Sequence, residues 1–168
     1  MPLARLKNFF RVSDVISITP DLQLISNIIG SMRSAINRNA GTKDAKVGPQ
    51  DGAQADIDGV LGELAFCKWK NVWPDLSIAA RSGSYDCIVN GLRIDVKTTR
   101  IKSGRLLSTL KSNSDVDIYV LAIIEDGFVN FPGYMFAKEF RRDENIADLG
   151  HGKTYCVERN QMRKFKEN

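Results

Sequence analysis

The chain has 168 residues, a hydrophobic content of 43% and a formal net charge of +4, values typical of one globular domain spanning residues 1–168 with its own core. No apolar run reaches the roughly 18 residues of a membrane span, and the first ten residues lack the continuous apolar core of a signal peptide. We therefore expect an intracellular, cytoplasmic protein without a membrane partner. No two of the three cysteines have zinc-ligand spacing, so we expect reduced, buried thiols.

The first predicted element is an amphipathic helix from Pro20 to about Asn39. Thr19 is suited to cap it, Pro20 to occupy its first position, and Asp21 to lie at the positive end of its dipole. Apolar residues that recur at helical spacing predict the buried face; they are Leu22, Ile25, Ile29, Met32 and Ile36. The predicted polar side carries Arg33, Asn37 and Arg38.

A polar segment over about residues 41–57 is rich in Gly and Asp and has almost no large apolar side chain, which predicts a long mobile loop. Residues 59–70 then predict a second helix, capped by Asp58 and apolar around most of its surface. Glu63 is unusual in that helix, because a buried carboxylate needs a partner. Gly62 beside it would allow the helix to approach another element closely. The alternative is an exposed Glu63 on a thin polar strip with Lys70.

A β-hairpin is predicted around Asn90-Gly91, since both residues of such a turn adopt positive φ. With these as the two loop residues, Asp86 lies opposite Asp95 on the same face of the hairpin. Lys97, two residues further, projects from that face as well. Two opposed carboxylates destabilise a sheet unless a cation lies between them, and hard divalent cations bind clustered carboxylate oxygens.

The remaining elements complete a one-domain α/β sandwich. We predict a short strand over residues 76–80, a buried central strand over 117–124 and a strand over 128–131 that pairs with it. A partly helical connection is predicted near 106–110, a short helix over 136–142, a strand over 154–157 and a terminal helix over 159–165. Trp69, Trp73, Tyr119 and Phe131 are all interpreted as core residues rather than base-stacking surfaces.

The order Glu63, Asp86, Asp95-Val96-Lys97 resembles the PD-(D/E)XK nuclease superfamily, in which a helix glutamate precedes a strand aspartate and then a D/E-x-K on the next strand. The resemblance covers a core of about residues 59–124. The residue before Asp86 is Tyr85 where the motif has proline. The resemblance implies a restriction-endonuclease-like α/β sandwich, a central mixed sheet flanked by helices.

The resemblance also implies roles for these residues. Asp86, Asp95 and the carbonyl of Val96 would bind Mg²⁺, with Mn²⁺ as a substitute. Glu63 would complete the acidic cluster, either on the same metal or through a second one. Lys97 would orient or help deprotonate the attacking water, or stabilise the developing anion. The reaction would be hydrolysis of DNA phosphodiesters by an endonuclease of resolvase, repair or phage type.

Charge distribution is consistent with a polyanionic substrate, since six basic residues and one acidic residue lie between Arg93 and Lys111. Residues expected to contact phosphates are Arg33, Arg38, Thr99, Arg100, Lys102 and Arg105. The small size, without a separate recognition domain, is also compatible with a homodimer. Two alternatives are a non-catalytic nucleic-acid-binding module that retains the nuclease fold, and an interaction domain in which the same residues form a solvated ion cluster.

Overall fold

The computed structural model describes residues 14–41, 51–78, 85–110, 115–150 and 152–165. Its helices are α1 (Pro20–Asn39), α2 (Gly52–Lys70) and the short α3 (Ala137–Phe140). Its strands are β1 (Val15–Ser17), β2 (Cys87–Val89), β3 (Leu92–Thr99), β4 (Leu106–Thr109), β5 (Ile118–Glu125), β6 (Phe128–Phe136), β7 (Ile146–Asp148) and β8 (Lys153–Val157). The predicted mixed α/β class is thereby confirmed.

A five-stranded mixed sheet forms the centre, with the strand order β1-β6-β5-β3-β2. Only β3 and β5 run parallel, and the other neighbours are antiparallel. A second sheet has the order β4-β8-β7. This second sheet was not expected from the sequence pattern.

Strand β5 separates the two halves of the core, as its nearly unbroken apolar sequence predicted. Ile118, Val120, Ala122 and Ile124 pack with α2 in one hydrophobic cluster. The alternate residues Tyr119, Leu121 and Ile123 pack in a second cluster with residues of β4, α3 and β8. Because side chains alternate along a strand, the central sheet lies between the helices on one face and the small sheet with α3 on the other.

Helix α1 forms where predicted, and Leu22 is buried as predicted. The rest of its buried side is a row of small or polar residues, namely Ser26, Gly30, Ser34 and Asn37, of which Asn37 was expected on the polar side. Ile29 packs partly buried against the core, but the prediction was wrong for Ile25 and Met32, which are 42% and 43% exposed. The reason is close helix packing, since a Cβ atom added at Gly30 would lie 2.5 Å from the Cα of Ile57 in α2. Only small residues allow that approach.

Helix α2 begins seven residues earlier than predicted, at Gly52 instead of residue 59. Asp58 is therefore within the helix and does not cap it. There its carboxylate accepts hydrogen bonds from Arg100 at 2.7 Å and from Gln54 at 2.8 Å. This long-range ion pair stabilises a polar helical turn that the sequence pattern alone predicts as loop. The remainder of the predicted mobile loop, residues 42–50, lies outside the described residues.

Several smaller expectations also differ from the structure. The predicted helical turn at 106–110 is strand β4, whose Leu106 and Ser108 are buried in alternation. Residues 76–78 form no strand, and residues 79–80 lie outside the described part of the chain. The terminal helix reduces to a 3₁₀ turn, Arg159–Gln161. The short helix near 136–142 and the strand near 154–157 are confirmed as α3 and β8. Lys111, the last residue of the basic stretch, is not among the described residues.

Neither long helix in the described ranges carries an apolar stretch that would suffice to cross a lipid bilayer. Cys67, Cys87 and Cys156 are free thiols. Cys67 and Cys87 are buried, as predicted, whereas Cys156 is half-buried.

Substituting Gly30→Ala should destabilise the protein by about 1–3 kcal/mol, because the added methyl group meets backbone atoms of α2 that cannot rotate away. Urea denaturation would measure the change. Gly59→Ala is the matched control: it lies inside α2 with no atom within 4 Å of the added Cβ. It should be neutral or stabilising by up to about 1 kcal/mol. Equal effects of the two substitutions would contradict the close-packing account.

Candidate active site

The hairpin that carries the predicted aspartates has the predicted register. Val89 pairs with Leu92 and Cys87 with Ile94, and both Asn90 (φ 51°) and Gly91 (φ 80°) adopt the left-handed conformation. Strand β2 begins at Cys87, so the ladder does not include the expected Asp86–Asp95 pair.

Asp86 nevertheless remains beside Asp95. Its N–H donates to the carbonyl of Ile94 at 2.7 Å, and its Oδ2 accepts from the N–H of Val96 at 2.6 Å. These two hydrogen bonds lie on either side of Asp95 along β3. The carboxylate of Asp86 thus lies at the edge of β3, directly before the first residue of β2.

Asp95 and Lys97 share one face of β3, as predicted. The Nζ of Lys97 lies 2.7 Å from Oδ1 of Asp95, and it lies 5.9 Å from the ring centre of Tyr119. The side chain of Asp95 is 15% exposed and that of Lys97 35%. Ile94 and Val96, which alternate with them, pack on the helix side. The ammonium group is therefore accessible to solvent, while its carboxylate partner is mostly covered.

Glu63 of α2 is largely covered and paired, so the exposed alternative is wrong. Its Oε2 accepts from Nη1 of Arg33 at 2.7 Å, with 15% of its side chain exposed. Arg33 also donates to the carbonyls of Asp75 at 2.6 Å and Ser77 at 3.0 Å. The N–H of Asp75 in turn donates to the carbonyl of Asp86 at 2.9 Å. One guanidinium therefore connects α1, α2 and the segment that carries Asp86.

Gly62 explains how Glu63 comes so near to β3. A Cβ atom at Gly62 would lie 2.0 Å from Oγ1 of Thr98, which is an impossible distance. The missing side chain allows α2 to rest directly on β3, one residue from Lys97. The close approach expected at Gly62 is confirmed.

The electrostatics of the site show that its charged groups interact. Burial raises the pKa of Asp86 well above its usual value, and the charges of Glu63 and Asp95 raise it further. Burial likewise raises the pKa of Glu63, although Arg33 opposes that shift. Burial alone would lower the pKa of Lys97, but its ion pair with Asp95 raises it overall. The acidic side chains of the site repel one another, and the positive charge of Lys97 offsets that repulsion only in part.

The residues predicted to contact phosphates are distributed over several elements. Arg33 is engaged by Glu63, and Arg100 by the buried Asp58. Lys102 pairs with Glu125 and Arg105 with Glu158. Oγ1 of Thr99 accepts from the N–H of Ile101 at 3.1 Å. Arg38 is exposed at the end of α1.

Two features of the site were missed by sequence reasoning. Trp73 was interpreted as core, but it is 82% exposed; it lies two residues before Asp75, which bonds to Asp86. Trp69, by contrast, stacks on Phe131 with ring centres 5.1 Å apart, as a core residue does. The bridging role of Arg33 was also missed. The pattern Trp73-Pro74-Asp75 directly after a helix is a signal for an exposed turn that could have identified Trp73.

The donor chemistry of the site suits a hard divalent cation in part. Asp86, Asp95 and the carbonyl of Val96 supply oxygen donors at one edge of β3. The pKa of Asp86 is raised first by burial and then by the charges of Glu63 and Asp95, a repulsion that a cation would relieve. Within the described ranges, no group of three or more His, Cys, Asp or Glu side chains is arranged to hold a metal ion. Glu63 is turned toward Arg33 instead.

Comparisons of the chain with protein-family models, curated proteins and solved structures found no match.

In metal-free buffer, Asp86→Asn should increase the free energy of unfolding at pH 7. The native state holds this carboxyl at a raised pKa, so ionising it costs more in the native than in the unfolded protein. The native state then binds the proton more tightly, and its stability falls as pH rises above the unfolded pKa of about 3.9. The advantage of the asparagine should shrink as pH is lowered toward 4. Urea denaturation across pH would measure both effects.

Asp117→Asn is the control, because it should change the free energy of unfolding in the opposite direction. Three hydrogen bonds from Arg93, two from its guanidinium and one from its backbone N–H, lower the pKa of Asp117 to about 2, so its charge stabilises the native state above the unfolded pKa. Its substitution should destabilise the protein at pH 7, with the difference vanishing as pH falls through about 2. Destabilisation by Asp86→Asn at pH 7 would contradict the account of the site.

Proposed function

We propose that this protein is a metal-dependent deoxyribonuclease, an endonuclease with a restriction-endonuclease-like fold. The observation that carries the proposal is the ion pair of Asp95 with Lys97 on β3, beside Asp86, whose carboxylate accepts from the N–H of Val96 at the edge of the same strand. Glu63 interacts with these residues through its charge. The mixed sheet with α2 lying directly on β3 supports the fold. Clustered carboxylates with raised pKa values are typical of functional sites.

Asp86, Asp95 and the carbonyl of Val96 would hold Mg²⁺ or Mn²⁺. The bound ion would supply a water of lowered pKa and would neutralise charge on the phosphate. Lys97 is held by Asp95 with a raised pKa, so it carries its proton at neutral pH. A protonated, partly exposed ammonium suits stabilisation of negative charge on a phosphate oxygen. That role is favoured over proton abstraction by Lys97.

Glu63 would act indirectly, through the residues that it positions. Its carboxylate receives the guanidinium of Arg33, which also holds the backbone at Asp75 and, through it, Asp86. Glu63 thus orients the segment that presents Asp86. Its negative charge also adds to the repulsion that a cation would relieve at Asp86.

The substrate is proposed to be DNA, bound through the basic stretch that includes Lys97, Thr99 and Arg100. Lys102 and Arg105 are exposed on the same stretch, and their partners Glu125 and Glu158 are side chains that phosphates can replace. Such contacts would be independent of sequence and sensitive to salt.

Cleavage of supercoiled plasmid and of branched DNA in Mg²⁺ or Mn²⁺ tests the proposal. Asp95→Asn and Lys97→Met should each lower the cleavage rate by about 100-fold or more, as expected when a group acting at the reacting phosphate is removed. Lys153→Met, an exposed lysine on β8, is the matched control and should cleave like the wild type. Equal cleavage by all variants would place the activity elsewhere.

Thermal unfolding with added Mg²⁺ separates this function from the alternative module. A cation that binds the native state must raise its melting temperature. The rise should occur in the wild type and disappear in Asp95→Asn. Salt-sensitive DNA binding with no cleavage in either metal would favour the non-catalytic nucleic-acid-binding module. Absence of both binding and cleavage would refute the two proposals together.

Trp73 is proposed to stack on a base of the bound DNA, because its large ring is exposed on the segment that Arg33 and Asp86 anchor. Trp73→Ala should weaken binding by about 1–3 kcal/mol, the usual value for one base stacked on an aromatic ring. Trp73→Phe should retain most of the affinity. Fluorescence anisotropy with labelled single-stranded and branched DNA would measure both. Unchanged affinity of the alanine variant would exclude the stacking role.

A further inference from the structure

The outer face of α1 is apolar, although it points to solvent. Leu24 is 58% exposed and Ile28 is 50% exposed. With Ile25 and Met32 they form a stripe along the helix, which we call the α1 stripe. Meanwhile the buried side of the same helix consists largely of small or polar residues. A surface helix normally shows the reverse pattern, and exposed apolar patches of this kind mark interaction sites.

We infer that the α1 stripe is the contact surface of a homodimer, in which α1 packs antiparallel against α1 of a second copy around a two-fold axis. This inference stands independently of the proposed nuclease function. A two-fold contact requires a surface that is complementary to itself. The residues along α1 satisfy that requirement in charge and in size.

Complementarity in charge comes from the two ends of the helix. Asp21 lies in the first turn and Arg38 in the last, and both are exposed. With the two-fold axis beside residues 29 and 30, Asp21 of each copy lies opposite Arg38 of the other. The antiparallel arrangement also places the positive end of each helix dipole near the negative end of its neighbour.

Complementarity in size follows from the same register. Leu24 lies opposite Ala35 of the second copy, and Ile28 lies opposite Ser31. Ala35 and Ser31 are exposed on the outer face of α1. Large side chains of one helix thus meet small ones of the other, which is the arrangement that close helix packing needs. A partner of unrelated sequence would not require this internal symmetry.

In this register Arg38 lies in the dimer contact, whereas the sequence had suggested that it contacts phosphate. The two roles make different predictions. A phosphate contact is lost when the charge of Arg38 is reversed, and reversing Asp21 cannot restore it. An ion pair between copies is restored when both charges are exchanged.

Sedimentation velocity of the full chain over a concentration series tests the inference. The wild type should sediment as a dimer that dissociates on dilution. Ile28→Glu should raise the dissociation constant by at least about 100-fold, because each copy then presents a charge to an apolar contact. Ile101→Glu is the matched control: the same change at an isoleucine of similar exposure, 57%. It should leave the dimer intact.

Charge exchange tests the antiparallel register. Asp21→Lys and Arg38→Glu should each weaken the dimer by roughly 10-fold, through two symmetry-related repulsions. The double variant should return to within about threefold of the wild type, since opposite charges again face each other. Circular dichroism would establish that every variant is folded.

Three results would overturn the inference. The first is a wild-type chain that stays monomeric at every concentration, which would mean that the α1 stripe is covered by another occupant or by none. The second is a dimer that tolerates Ile28→Glu. The third is a double variant, with both charges exchanged, whose dimer is no tighter than that of either single variant.

Discussion

The guanidinium of Arg33 is the interaction on which the arrangement of the site depends. It leaves α1, pairs with the largely covered Glu63 of α2, and holds the carbonyls of Asp75 and Ser77. Asp75 then holds Asp86 against β3. A buried carboxylate without such a partner destabilises a protein by several kcal/mol, so α1, α2 and the chain before β2 keep their positions together.

The site concentrates repulsion where the fold could have avoided it. Asp86 lies in a half-buried position beside Glu63 and Asp95, whose charges raise its pKa further than burial alone, and the N–H of Val96 and the charge of Lys97 offset this only in part. Gly62 allows α2 to contact β3 closely, which brings Glu63 near the strand. A protein that retains this arrangement gives up stability, and such a loss is common where charged groups serve binding or catalysis.

Helix α1 combines two demands that normally conflict. Its contact with α2 requires Gly30 and the small residues around it, because the backbones approach each other there. Four large apolar residues, Leu24, Ile25, Ile28 and Met32, are then left on the opposite face. Hydrophobic periodicity correctly predicted a helix here and the burial of Leu22. It did not separate the buried from the exposed apolar residues, because close contact with α2 requires small side chains and does not depend on hydrophobic area.

Local signals in the chain were enough for the hairpin, the buried strand β5 and the order of the motif residues. Asn90-Gly91 sets the turn and thereby the neighbourhood of Asp86 and Asp95, and an apolar run of seven residues, 118–124, is sufficient for a central strand. Long-range partners settled the rest. The first turns of α2 are stabilised by Arg100, which binds Asp58. Strand β4 forms by pairing with β8. Glu63 is covered because Arg33 pairs with it. Each of these joins residues 30 or more positions apart, and no short pattern in the sequence records such a contact.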